Sequence, residues 1–367
     1  MNIQFHYYIV RYLSSVLGFD DKNSRLIAQT SQFIDDSKEQ IPVEFPESDV
    51  SEKIRERGLD FNAGNNVVVY IPKTIHSSFD DFADFKIDNK DNICWTGLVP
   101  FHYTPDSPLK SQSGTEKESC LGYKIHSIKN YNFNEHEIFK PLIDDAVNMY
   151  KSAKTEYDKI EAAVRIGAIA HMLADNYAHP YLNGFVSWIN DTEALQVING
   201  DVAGTDLTAN YILNDAEKSK ISKVGCYRMK TAMDDSFVKV TFSQPKVKNG
   251  PSVETHQTDN LKSFMDAAKC LYYFFRKITG KPDGEEAVWE GTYKPILRKM
   301  LSFRETDINK LNEAWEKECP DIEFSYSADD IKTKLGKSAY SDYLFSAAIV
   351  ADDMRKSVIS KEDEKNV

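Results

Sequence analysis

The sequence of 367 residues offers no paired cysteines. Cys94, Cys120, Cys226, Cys270 and Cys319 are odd in number and scattered, with no CxxC among them. Neither a thiolate zinc knuckle nor a disulfide framework is therefore supported, and reduced thiols are expected. No stretch of about 18 apolar residues occurs, so no membrane-spanning helix is predicted. The start, Met-Asn-Ile-Gln-Phe-His-Tyr-Tyr, lacks a charged segment followed by an apolar run. No signal peptide is read there, and a cytoplasmic chain is expected, with export by a signal-less route as the alternative. Basic residues are also short: 45 Lys and Arg face 57 Asp and Glu, for a net charge of −12. A surface for duplex DNA is not expected, and anionic lipid head groups would be repelled. Neither GxxxxGK[ST], GxGxxG nor GxSxG occurs, which removes the phosphate loop, the dinucleotide fold and the serine-hydrolase elbow. There is no internal repeat and no low-complexity linker.

What is present is helical periodicity. Ile3, Tyr7, Val10, Leu13 and Leu17 predict a helix over 2–18, ended by Gly18. Leu26, Ile27 and Phe33 predict a second over 21–34, ending at Asp35-Asp36. Helices follow over 135–152, 154–179 and 260–279, the last capped by Gly280. Further helices are read over 285–301, 306–318, 328–335 and 338–356, and the charged tail Ser360–Val367 is expected to fray. Residues 186–223 read as helical in part, with breaks at Gly200 and Gly204. Only Asn66–Pro72 and Phe237–Phe242 read as strands. Residues 37–60 are polar without periodicity, and 76–135 are loop-like, the kind of excursion that usually serves function.

The chemistry concentrates in Arg165–Pro180, which spaces His171, Asp175 and His179 four residues apart. On a helix each step of four turns the side chain by about 40°, so the three share one stripe. His171 and Asp175 are separated by about 6 Å along the axis and can hold one ion, whereas His171 and His179, about 12 Å apart, cannot. A carboxylate between two histidines can instead bridge two ions about 3.5–4 Å apart. Gly167, Ala168, Ala170, Ala174 and Ala178 let other helices approach closely, so this helix is expected at the centre, and Pro180 ends it. A core helix with two satisfied histidines is the plainer alternative. Burying three ligand-type residues unpaired on one apolar stripe is costly, which favours metal binding.

Other ligand-type residues stand earlier in the chain. His6 lies in Gln4-Phe-His-Tyr-Tyr8, Asp35 and Asp36 end Ser31-Gln-Phe-Ile-Asp-Asp36, and His102 lies in Val99-Pro-Phe-His-Tyr-Thr-Pro-Asp106. Singly, each has an ordinary reading as a helix or turn residue. In this order, followed by His-x3-Asp and a further His, they resemble the zinc-dependent phospholipase C and P1/S1 nuclease superfamily over about 1–275. The nearer likeness is to an uncharacterised bacterial family of the same layout.

The resemblance implies an all-α, multi-helix fold for the metal-site domain; periodicity and the absence of a linker give that domain as 1–280, with a loop-rich insertion at about 60–135 and minor β content, and a helical extension over 281–367 packed on it. It implies a cluster of two or three Zn²⁺ ions, with Mn²⁺ or Fe as alternatives. His6, Asp36 or Asp35, His102, His171, Asp175 and His179 resemble the ligands, Asp175 being the bridging carboxylate and Asp36 or Asp35 the base. His179 departs from the superfamily, which has five residues between that Asp and His where this chain has three. Cys226 stands where the nearer family has a histidine, and is a thiolate candidate or the mark of a lost ligand; Asp234 or Asp235 follows it, and His256 with Asp259 is a spare pair, His256 reading rather as a surface residue. The superfamily also uses a mature N-terminal amine as a ligand after processing. No processing site is visible, so that ligand is not expected here. The implied partner is a phosphodiester-containing substrate (phospholipid, nucleic acid or small phosphodiester), with transient membrane contact in the first case. Tyr7, Tyr8, Tyr103 and Tyr177 flank the ligands and read as core aromatics or as a pocket wall. The alternative is a helical protein with a degenerate or structural metal site and a binding role.

Overall fold

Four of the described α-helices begin where a side chain takes up free N–H groups of the first turn: Asp20, Thr155, Asp259 and Asp307 are the caps. In the computed structural model of the protein, the described residues are 1–37, 41–46, 66–71, 94–109, 128, 131–185, 187–200, 205–214, 216–217, 223, 225–282, 286–303, 305–327, 350 and 353–358. The helix expected over 328–335, most of that over 338–356, the tail, and most of 37–60 and 76–135 lie outside them.

The chain opens with a π-helical segment, Gln4–Ile9, running straight into α1 (Val10–Val16). The carboxylate of Asp20 accepts from Asn23 N at 2.8 Å and starts α2 (Asp21–Asp36). A second π-helical segment, Cys94–His102, carries Pro100 within it. After α3 (Phe139–Ser152), α4 (Glu156–Ala178) starts from a capping box. There Thr155 Oγ1 accepts from Asp158 N at 3.1 Å and Asp158 Oδ2 accepts from Thr155 N at 3.0 Å. Each bond satisfies a donor that the helix leaves unpaired. The stop at His179 matches the position set by Pro180. Asp259 caps α5 (Asn260–Thr279), and Gly280 ends it at φ 69°, a left-handed conformation that glycine adopts without a Cβ clash. Farther on come α6 (Lys294–Leu301) and α7 (Ile308–Glu318).

The fold is mainly helical, with α4 in the middle. Every residue of α4 from Ile160 to Ala178 is buried, against α2, α3 and α5. At Gly167 the approach of α2 leaves no room for a side chain: a Cβ would lie 2.4 Å from the Ile27 carbonyl oxygen and 2.7 Å from Thr30 Cβ. Segments beyond residue 281 close over the other side of the N-terminal helix. Tyr8 stacks on Trp315 (centroids 5.9 Å apart) and donates to Asn312 Oδ1 at 2.7 Å. Tyr7 packs at 5.0 Å from Tyr326. These two tyrosines are core aromatics. Arg165 of α4 pairs with Asp145 at 3.0 Å and Asp353 at 2.5 Å.

Strands are few. β1 (Ile41–Pro46) and β2 (Asn66–Ile71) pair antiparallel, and β3 (Glu193–Asn199), β4 (Val238–Pro245) and β5 (Val253–Asp259) form an antiparallel sheet in that order. Residues 186–223 are helical in part, as read, at Trp188–Asn190, Thr208–Tyr211 and Ala216-Glu217, but the strand β3 within them is not expected from the sequence. Pairing with β4 decides the matter, since β preference depends on cross-strand neighbours more than on composition. Among the described residues, no helix is long and apolar enough to cross a membrane.

Gly167→Ala gives a direct test of the α2–α4 contact. Alanine is the better helix former by about 0.8–1.0 kcal/mol. The clash is with backbone, which cannot swing aside, so overpacking should dominate and destabilise by about 1–3 kcal/mol or more. Urea denaturation showing a more stable variant would contradict the close approach.

Candidate metal centre

The stripe of α4 turns out to face the two π-helical segments and α2. π-Helical turns hold an extra residue and recur at functional sites. Here Gln4–Ile9 presents His6 and Cys94–His102 presents His102. The side chains of His6, His171, Asp175 and His179 are 0–5 % exposed and that of His102 is 7 % exposed.

Asp175 is the hub. Its Oδ1 lies 3.2 Å from His6 Nε2 and 2.5 Å from the Met1 ammonium. Its Oδ2 lies 2.9 Å from His102 Nδ1, 3.4 Å from His171 Nε2 and 3.8 Å from His179 Nε2. The two oxygens of one carboxylate thus address two different sets of donors. Asp35 extends both sets, with Oδ2 at 3.6 Å from His6 Nε2 and Oδ1 at 3.8 Å from both His102 and His171. Asp234 stands 3.6 Å from His179 Nε2 and 3.2 Å from the Met1 amine.

Of the expected ligands, His6, Asp35, His102, His171, Asp175 and His179 converge, and Asp234 joins them. His179 does so despite its short spacing. Asp36 does not: its Oδ2 accepts from the Tyr326 hydroxyl, because adjacent residues of α2 point about 100° apart. Asp235 accepts from the Tyr211 hydroxyl instead. Cys226 is buried against Tyr103, whose Oη donates to Sγ at 3.6 Å and accepts from Cys226 N at 3.1 Å. Burial, with the Asp234 carboxylate nearby, pushes its thiol pKa up, and of the two readings left open for Cys226, a thiolate ligand or a lost one, the contact with Tyr103 favours the second. His256 is not a surface residue; it is buried on β5, stacked on Tyr181 at 4.1 Å and 3.2 Å from Gln244 Oε1, and Asp259 is occupied in capping α5. Of the flanking tyrosines only Tyr103 borders the centre, 5.1 Å from the His179 ring. The Met1 amine, set aside in the sequence for want of a processing site, lies within the cluster, against Asp175 and Asp234.

The protonation pattern follows from burial and from unlike charges held together. Burial by itself would raise the Asp175 pKa, yet the Met1 ammonium and the His171 and His6 rings hold it well below the usual carboxylate range. Burial and the Asp175 charge push Asp35 well above that range, as like charges sharing a site must. Burial opposes the charge on the Met1 ammonium, but Asp175, Asp234 and Asp35 outweigh it and lift its pKa from 8.0 to about 11. Burial lowers His6, His171 and His179, His171 to about 4. The rings are therefore neutral near pH 7, the state that binds metal.

The donor set fits a cation. Both ring nitrogens of His6, Nδ1 of His179 and Oδ1 of Asp234 are buried without a hydrogen bond. Such groups are costly to leave unsatisfied in a core. His171 Nδ1 donates to the Ser31 carbonyl at 2.8 Å, which leaves the Nε2 lone pair facing the cluster, as a carbonyl behind a metal-ligating histidine does. A tetrahedral ion with bonds of 2.0–2.2 Å puts its donors about 3.3–3.6 Å apart. Two groups meet the requirement of proximity, His6 with His171 and Asp175, and Asp35 with His102 and His171, their ligand atoms all within 4.8 Å. An orphaned ring nitrogen alone does not mark the centre: His136, whose Nδ1 accepts from Ile138 N and Phe139 N at 3.3 and 3.2 Å at the start of α3, also has a buried Nε2 without a hydrogen bond; it is the convergence of donors on Asp175 that sets the centre apart.

Residues 1–366 match the model of a family described as a family of unknown function (DUF6765), and the chain belongs to it. No curated protein and no solved structure matches the chain.

The two neighbouring aspartates separate this geometry from any reading of α2 as a whole. Asp35→Asn should weaken metal binding at least about tenfold, since it removes a charged donor shared by both sets. Asp36→Asn should leave affinity within about twofold. Zinc competition titrations on chelator-treated protein measure both; equal losses would contradict the assignment.

Proposed function

We propose that this member of the family is a metal-dependent phosphodiester hydrolase, with a fold and centre of the zinc-dependent phospholipase C and P1/S1 nuclease kind. The observation that carries the reading is Asp175, one buried carboxylate with its oxygens turned to two donor sets. Carboxylate bridging is what a two-metal hydrolytic centre requires. Neutral imidazoles with carboxylates suit Zn²⁺ first, and Mn²⁺ or Fe as alternatives. When bound, such ions supply Lewis acidity and acidify a water to a pKa of about 7.

The chain's own residues account for the rest. His6 and His171, their rings stacked at 4.0 Å, together with His102, hold the donor geometry from three separate elements. Asp35 and Asp234 are the members with appreciable exposure, 19 % and 25 %, so the centre opens to solvent along them. Asp35, a carboxylate 3.6–3.8 Å from three of the histidines and on the open side of the centre, would orient the attacking water and receive its proton. Phosphoryl oxygens would enter between Asp35 and Asp234. Access from solvent distinguishes a catalytic site from a closed structural one.

A binding protein with a degenerate centre is the second reading, favoured by Cys226 being engaged with Tyr103 instead of the donors. Hydrolysis of bis-p-nitrophenyl phosphate by zinc-loaded protein separates the two. Asp175→Asn should reduce that activity by about 100-fold or more, and should lose more metal than Gln at His6, His102 or His171, because Asn cannot offset the repulsion between two dications. The variant should also melt at lower temperature, metal binding being part of its folding free energy. Wild-type metal content and melting temperature in Asp175→Asn would end the hydrolase reading.

A further inference from the structure

A cleft of about 900 Å³ lies along α4 on a side the metal centre does not use. Tyr177, which lines it, follows Asp175 by two residues and so points about 200° around the helix from the ligand stripe. The volume is within the range of small-molecule sites.

Its floor is one face of the three-stranded sheet, and the register arranges that face in rows. Gln196, Thr241 and Gln257 are cross-strand partners and form a row of amide, hydroxyl and amide. Lys239 and Asp259 lie opposite one another in the next, beside Ile198. Both rows line the cleft. Each therefore sets hydrogen-bonding groups at the strand spacing of about 4.8 Å.

Charge in the cleft is already balanced. Lys239 Nζ is 3.1 Å from Asp259 Oδ2, and Lys262 Nζ is 3.1 Å from Asp266 Oδ2. An anion or a cation would have to break one of these pairs. A neutral ligand that both donates and accepts can bond to each member without separating them.

Two tyrosines complete the walls, and both have left-handed backbones: Tyr131 at φ 57° and Tyr181 at φ 77°. A non-glycine residue holds that conformation only where its surroundings impose it, and such residues gather at ligand sites. Tyr181 is held by Gln244 Nε2, which donates to its carbonyl at 2.7 Å, and by the stack on His256. Tyr131 is stacked on Tyr273 at 5.5 Å and reaches Asp266 Oδ1 at 3.4 Å. The strain fixes two aromatic rings beside a polar floor.

We propose that this cleft binds a neutral polyhydroxylated ligand, a sugar ring or a disaccharide, at a site separate from the metal centre. Hydroxyls both donate and accept, which matches the amide row and the Lys–Asp pairs. The apolar C–H face of a sugar ring packs on an aromatic side chain, whose apolar body and polar tip suit such a contact. The inference does not rest on the hydrolase reading, because no residue of the metal centre contributes to it.

Saturation-transfer NMR and calorimetry on the full, metal-loaded chain test it with glucose, galactose, N-acetylglucosamine, maltose, cellobiose, adenosine and inorganic phosphate as probes. At least one of the five sugars should bind with Kd below about 10 mM. Tyr181→Gly keeps the left-handed backbone without strain while removing the ring, and Gln257→Leu removes one amide from an exposed position. Each should weaken that sugar more than tenfold, with circular dichroism and bound metal unchanged. The proposal is overturned if none of the five sugars binds, if binding survives both substitutions, or if only adenosine or phosphate binds.

Discussion

An ionised carboxylate is held out of water at the centre of this molecule, and much of the structure serves to make that tolerable. Asp175 is 1 % exposed, in a place where an unpaired carboxylate would take up a proton. Instead the Met1 ammonium and a ring of imidazoles keep it charged. The same surroundings push the neighbouring Asp35 the other way. Positive charge is what the cluster is short of: Asp175 and Asp234 share one ammonium, Asp35 is driven towards its neutral form, and burial keeps His6, His171 and His179 neutral. A divalent cation answers that deficit more completely than any protein group present.

The scaffold follows from the same constraint. Donors for one ion must come within a few ångströms of each other, so the helices that bear them must pack backbone to backbone. Gly167 and the alanines of α4 allow α2 to do this, and the Ser31 carbonyl of α2 thereby reaches His171. The π-helical segments supply His6 and His102 from the chain's start and from the Pro100 turn. Aromatic packing of Tyr8 with Trp315 and Phe324 then fixes the first segment from behind.

Much of this could be read in the sequence wherever the information is local. The four-residue spacing of His171, Asp175 and His179 is helix geometry, and α4 and α5 keep nearly the ends that Pro180 and Gly280 mark. The choice between Asp35 and Asp36 is not local: both have the same chemistry, and only the rotation of α2 against α4 decides which carboxylate meets His6. β3 was hidden for a similar reason, its strand character coming from β4 across the sheet. The amine of Met1 is set aside because no processing site is visible, and the tyrosine-lined cleft exists only through sheet register. His179, irregular in spacing, still arrives because it is the last residue before Pro180 on the same stripe.

The central claim is that Asp175 joins two metal positions. Anomalous diffraction from crystals of protein purified without an affinity metal column measures this directly. The account predicts at least two anomalous peaks about 3.5–4 Å apart, one against each oxygen of Asp175. A single peak on one oxygen, or none beside Asp175, would contradict it.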